Sequence, residues 1–532
     1  MQQQPPVSTD KGPLPSLEEL LADVKPGETV LEMRGVTKRF ADVVANDRID
    51  FDLRAGEIHA VLGENGAGKT TLMNILFRLL HPDEGEIYIR GHRVHLRSPV
   101  DAINLGIGMV HQHRKLVAAH TVIENIVLGH PKAGRVLNLK RAEEEVKALS
   151  ERYGFKVDLR ARVWQLSEGE KQAVEILKAL YRGARILILD EPTTALTPLE
   201  TERLLESMVN MARQGLAVVP FITHKLPMVL AVSDRVTVLR GGQVVAQLNT
   251  RDADEQLLAR LMVGREVLFD IQRPQVEPGP IVLQVEHLSA LNDKGVPALE
   301  NVSFSIRQGE ILGIAGVSGN GQRELAEVLA GMRPARNGRI RFDGRDITHA
   351  PIRERWRLGI GYIPAERTEV GSIGDFTLVE NVLLNFYFDD ELVKRGVLDY
   401  RRARELTRHL IDEYGIAAPG EDARGRQLSG GNLQKVILAR VLARHPRLLL
   451  AALPTQGLDI GATEFVRKKI LEAKTQGSAV LLISEDLDEV LMLSDRIAAI
   501  YEGRIMGIVP AEKARREQIG AMIAGISEEA SS

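Results

Sequence analysis

Short apolar runs of strand length punctuate the chain, such as residues 58–62 (IHAVL) and 186–189 (ILIL). They alternate with stretches of helical character, such as 71–80 and 171–181. That alternation predicts an α/β architecture on a largely parallel sheet. The best apolar runs, 186–189 and 448–453, have core-strand length and fall far short of the roughly 18 uninterrupted apolar residues of a membrane span. The chain is not expected to cross a membrane. The opening segment MQQQPPVSTDKGPLP has no basic start, apolar stretch or small-residue cleavage site, so residues 1–27 read as a flexible leader rather than a secretory signal.

The pattern is written twice. IDFDLRAGEIHAVLGENGAGKTTL at 49–72 returns as VSFSIRQGEILGIAGVSGNGQREL at 302–325, an offset of 253. QLSEGEKQAVEILKALYRGARILILDEP at 165–192 returns as QLSGGNLQKVILARVLARHPRLLLAALP at 427–454, an offset of 262. A period of this size is a duplicated domain, far beyond the roughly 20–50 residues of a solenoid unit. Pro274, Pro278, Gly279 and Pro280 can continue neither helix nor central strand. The expected organisation is therefore a first domain over 28–264, a linker over 265–280, a second domain over 281–520 and a tail over 521–532.

Composition narrows the classes. Lysine plus arginine total 69 against 72 acids, a net charge of −3, and 44% of residues are hydrophobic, which is ordinary for a globular protein and suggests no nucleic-acid partner. With no cysteine, disulfides, thiolate metal sites and cysteine nucleophiles are excluded.

The chemistry concentrates in the first copy. Gly63, Glu64, Asn65, Gly66, Ala67, Gly68, Lys69 and Thr70 satisfy the phosphate-loop pattern between an apolar strand and a helix that Thr71 continues. Glycines let the backbone wrap closely, so that successive N–H groups and the helix N-terminus face phosphate. Lys69 would reach the β- and γ-phosphates and Thr70 would ligate Mg2+. A second apolar strand ends in Asp190 and Glu191. A strand that delivers acid at its C-terminal end points it into the crevice of a parallel sheet, where Asp190 would hold the metal shell and Glu191 polarise the attacking water. A glycine turn ending in Lys-Thr, or a turn built on Asp-Glu-Pro, is the bland alternative to each; together they argue for a nucleotide site.

These residues, with the blocks around Ser167 and Ser429, resemble the nucleotide-binding subunits of ATP-binding-cassette (ABC) transporters over nearly all of 28–520, twice over. The resemblance implies two tandem P-loop NTPase domains, each with a mainly parallel sheet core, an antiparallel β subdomain and a helical subdomain. It implies ATP and Mg2+ as cofactors. By the same resemblance Phe40 matches the aromatic that stacks on adenine, Gln112 the glutamine that joins the metal to the membrane-facing subdomain, and His224 the γ-phosphate sensor. LSEGE at 166–170, with Ser167 and Gly169, and LSGGN at 428–432, with Ser429, Gly430 and Gly431, match the family signature, which presents N–H groups to a γ-phosphate held by the opposite domain.

The second copy keeps Gly316, Gly319 and Gly321 but carries Gln322 and Arg323 where Lys69 and Thr70 stand. Ala452 and Leu453 replace Asp190 and Glu191, Glu366 falls near the Gln112 position, Glu485 replaces His224, and no aromatic matches Phe40. Metal ligand, base, linking glutamine and sensor are all missing, so this copy is not expected to hydrolyse ATP. Members of the family pair head to tail, which implies that the intact first loop is completed by Ser429, Gly430 and Gly431, and the degenerate loop by Ser167 and Gly169. Around Thr197 the first copy also lacks the aspartate that Asp459 supplies in the second.

Fused copies with a degenerate second loop resemble the ATP-binding subunits of bacterial importers for simple sugars and nucleosides. Segments 109–129 and 363–384 look closer to the nucleoside and purine branch than to ribose or galactose. The implied partners are integral membrane permease subunits, two of them, and an extracytoplasmic solute-binding protein. The implied location is the cytoplasmic face of the membrane. A soluble tandem-cassette factor acting on ribosomes or DNA is the alternative class; the depleted second site and short proline-rich linker count against it. A scaffold without turnover is disfavoured by Glu191 and His224.

Overall fold

The computed structural model describes residues 24–41, 43–111, 115–130, 138–193, 196, 198–221, 226–266, 273–389, 392–394 and 396–526. The chain divides into two compact units, Met1–Val267 and Leu268–Ser532. Among the described residues no helix is long and apolar enough to cross a membrane.

In the first unit a six-stranded sheet runs in the order Gln243–Asn249, Arg235–Arg240, His59–Leu62, Ala217–Phe221, Ile186–Asp190, Ile107–Val110. All neighbours are parallel except the edge pair formed by Gln243–Asn249 and Arg235–Arg240. A separate four-stranded antiparallel sheet is built on the long hairpin of Thr29–Phe40 and Val43–Arg54. The helices Val122–Val127, Leu139–Tyr153 and Glu168–Tyr181 form a third layer.

These layers explain the uninterrupted apolar strand. Ile186 and Ile188 pack with the antiparallel sheet and the helix Lys69–Leu76, while Leu187 and Leu189 face the helical layer. Alternate side chains of one strand thus serve two cores, and both faces must be apolar. The second unit repeats the device: Leu448, Leu450 and Ala452 join one core, Leu449 and Ala451 the other. Its six strands follow the same order, from Arg504–Pro510 and Arg496–Tyr501 through Ile311–Ala315, Ala479–Ser484 and Leu448–Ala452 to Ile360–Ile363. One expectation shifts: the helix read over 71–80 occupies Lys69–Leu76, because Arg78 turns into the left-handed region at φ 64°.

The second unit contains a buried arginine with a structural task. Arg355 is 2% exposed and donates to the carbonyls of Ala350, Val328, Leu329, Ile347 and Thr348 at 2.8–3.1 Å. Val328 and Leu329 lie in the last turn of the helix Gln322–Ala330; Val328 O also accepts from Gly331 N–H at 3.1 Å, and the guanidinium supplies a donor to Leu329 O. Arg355→Ala strands several buried acceptors and should destabilise the second unit by on the order of 3 kcal/mol. Denaturant unfolding checks this; an unchanged midpoint would show that water replaces the guanidinium at no cost.

Candidate nucleotide site

Because the central strands are parallel, their C-terminal ends lie on one edge of the sheet, and each hands the chain to a site segment. His59–Leu62 leads into the loop 63–70, and Ile186–Asp190 leads directly into Glu191. Ile107–Val110 and Ala217–Phe221 lead towards Gln112 and His224, which lie outside the described residues, as does Thr197.

The loop wraps on a left-handed backbone, with Gly66 at φ 82° and Gly68 at φ 99°. At Gly68 a Cβ would collide with Ala45 O and stand 2.6 Å from Asn46 Nδ2, so the close approach of the hairpin requires glycine. Asn46 in turn donates from Nδ2 to Gly68 O at 3.1 Å. The helix Lys69–Leu76 has no side-chain cap on its N-terminus, which leaves its first-turn N–H groups directed at the loop mouth. Lys69 is 5% exposed, and its Nζ donates to Gly63 O and Glu64 O, both at 2.8 Å. Its ammonium lies inside the loop it follows. Thr70 is exposed at the mouth, and Thr71 behind it is half-buried.

Asp190 and Glu191 are half-buried. Glu191 holds φ 43°, a left-handed conformation that a non-glycine residue enters only at a cost of about 1–3 kcal/mol. The bend sets the course of the chain as it leaves the strand and places Glu191 next to Asp190 at the strand's C-terminal end. Phe40, exposed at the end of its strand and paired with Val43, stands at the outer end of the hairpin whose inner part braces Gly68. Lys38 Nζ lies 5.5 Å from its ring centroid and is itself paired with Asp83 at 2.8 Å.

The second unit keeps the backbone and changes the chemistry. Gly319 and Gly321 hold φ 89° and 97°, close to Gly66 and Gly68. Gln322, buried like Lys69, donates from Nε2 to Val317 O at 2.9 Å and accepts from Asn320 N–H at 3.1 Å. An amide therefore braces this loop where an ammonium braces the other. Arg323 is paired with Glu327 at 2.8 Å and stands 3.7 Å from Glu366. Leu453 retains the left-handed bend, φ 46°, without a carboxylate. Glu485 is exposed after Ala479–Ser484.

Each unit carries a signature turn that opens a helix. Ser167 caps Glu168–Tyr181 and accepts from Glu170 N–H; Ser429 caps Gly430–Leu442 and accepts from Asn432 N–H. Two side chains in these sites were not singled out from the sequence. Asn46 is one: a polar residue inside a buried hairpin, where the second copy has Leu299, was the available signal. The other is Glu200, which reaches back to Ser167.

The family model described as ABC transporter matches residues 46–194 and 299–456. The chain belongs to the ABC transporter family. Its two units are ABC cassettes, so the loops, strand-end acids and signature turns above are cassette elements. The chain is 46% identical to the guanosine import ATP-binding protein NupO of Bacillus subtilis, over 94% of this chain and 98% of that one. It is 44% identical to the nucleoside import ATP-binding protein NupA of Lactococcus lactis, with the same coverage. It is 45% identical to the glucose import ATP-binding protein TsgD13 of Haloferax volcanii, over 94% of this chain and 96% of that one. A solved structure of the archaeal ribosome recycling factor aABCE1 with the stalk protein aP1 matches with a TM-score of 0.61 over 92% of each chain at 20% identity, a likeness of fold alone.

Proposed function

We propose that this ABC protein is the ATP-hydrolysing subunit of a nucleoside importer, with one hydrolytic cassette and one that does not turn over. Two relatives named for nucleoside or guanosine import, at 44% and 46% identity over 94% of the chain, carry the reading. The relative named for glucose import, at 45%, keeps a sugar importer as the second reading.

In the first cassette the loop N–H groups and Lys69 bind the triphosphate, Phe40 stacks on the base, and Glu191 orients and polarises the attacking water. His224 and Gln112 take the sensing and linking roles of the family. A threonine hydroxyl at the loop mouth and one carboxylate at the strand end form a hard oxygen set, which fits a magnesium ion that keeps phosphate and water as its other ligands. Thr70, Asp190 and Gln112 would hold it, and when bound it supplies charge neutralisation on the phosphates. In the second cassette neither Gln322 nor Leu453 can supply the charge or the base.

The partners on this reading are two integral membrane permeases and an external solute-binding protein, with the chain on the cytoplasmic face of the membrane and no nucleic acid involved. A groove of about 250 Å³ in the first cassette, lined by Phe77, Ile103, Met109, His111, Lys115 and Glu175, takes in the start of the segment 109–129. Burial pushes the His111 imidazole below its ordinary range, favouring the neutral ring there. Cells lacking the chain should lose uptake of labelled guanosine while keeping that of glucose and ribose. Loss of glucose uptake alone would move the assignment to the sugar branch.

A further inference from the structure

We infer that Glu200 is a resident oxyanion that fills the signature turn of the first cassette and keeps the terminal phosphate of a nucleoside triphosphate out of it. The inference rests on the reading that signature turns receive ATP. Glu200 lies near the start of the helix Pro198–Arg213. Its Oε1 accepts from Ser167 Oγ–H at 2.8 Å and from Gly169 N–H at 3.2 Å. A hydroxyl and a first-turn N–H converging on one anionic oxygen is the donor set that a phosphate oxygen would use. The fit is close: a Cβ on Gly169 would stand 2.5 Å from that oxygen. The other two acids of the turn are engaged elsewhere, Glu168 with Lys171 at 2.7 Å and Glu170 with Ser167 N–H at 2.8 Å.

The second cassette is the internal control. With the offset of 262 that aligns the signature blocks, the residue in the place of Glu200 is Ala462. Its methyl lies 3.2 Å from where a Gly431 Cβ would be, and no carboxylate hydrogen-bonds Ser429 or Gly431 among the described residues. Asp459 is close, but its Oδ1 caps the next helix through Ala462 N–H at 2.7 Å. One turn is filled by the chain's own carboxylate, while the other presents its donors. A tethered group competes at high effective concentration, and a phosphate arriving beside it meets like charge.

Equilibrium binding of labelled ATP to the full-length chain carrying Glu191→Gln, which should slow turnover by about a hundredfold or more, tests this. The parent should bind about one equivalent, and adding Glu200→Ala should bring in a second site, with affinity raised about tenfold or more over any second site of the parent. Unchanged stoichiometry and second-site affinity overturn the inference. The transplant reads the same device without relying on Glu200 variants: Ala462→Glu should raise the KM for ATP about tenfold or more, and Ala462→Gln, of equal size and neutral, by less than about threefold. Equal effects of the two substitutions would mean crowding rather than charge and would also overturn it. Absence of ATP binding in every chain, the parent included, would instead remove the nucleotide reading on which the inference stands.

Discussion

Glu191→Gln should leave ATP bound and lower its hydrolysis by about a hundredfold or more. The side chain keeps its size and its place on the strand edge; what it loses is the capacity to take a proton from water. The left-handed backbone at this position, φ 43°, belongs to the strand-to-turn geometry rather than to the carboxylate, since Leu453 adopts the same bend at φ 46°. The substitution should therefore be structurally silent, with an unchanged melting temperature. Single-turnover hydrolysis, measured beside ATP affinity, separates chemistry from binding. Turnover equal to that of the natural chain would remove Glu191 from the role of base.

Lys69→Gln should abolish measurable turnover, by about a hundredfold or more, and weaken ATP binding as well. The protein contains the control for this change. In the second cassette an amide occupies the corresponding place and braces its loop through Val317 O at 2.9 Å, much as Lys69 braces its own through Glu64 O at 2.8 Å. Glutamine is therefore compatible with the loop, and the lost activity would report the missing charge. Lys69→Ala, which removes the brace too, should additionally lower the thermal midpoint. If Lys69→Gln hydrolysed ATP normally, the ammonium would serve the loop alone and not the phosphates.

Much of this was legible in the sequence because it is written in spacing. Two blocks recurring in order give the duplication, and a glycine-rich loop between strand and helix needs no tertiary information to be recognised. The unbroken apolar run 186–189 read as a core strand of a largely parallel sheet, and the structure adds why it is unbroken: Ile188 and Leu189 serve different cores. What escaped depends on approach through space. Asn46 meets Gly68 across the hairpin, and Glu200 meets Ser167 across 33 residues, from a helix whose own pattern gives no sign of that contact. The helix after the loop ended early for a similar reason: Arg78 reverses the chain at φ 64°, and an arginine gives no such warning in a sequence.

The bend at Leu453 has a consequence for how the two halves have diverged. A backbone held in a costly conformation persists only when its surroundings over-determine it. No carboxylate there needs aiming, yet the chain still takes that course. What the two halves share here is a route through space, while the side chains carried along that route differ. Shape and side-chain chemistry are thus separable within one polypeptide: the second half follows the same course with Gln322 and Leu453 where the first carries Lys69 and Glu191.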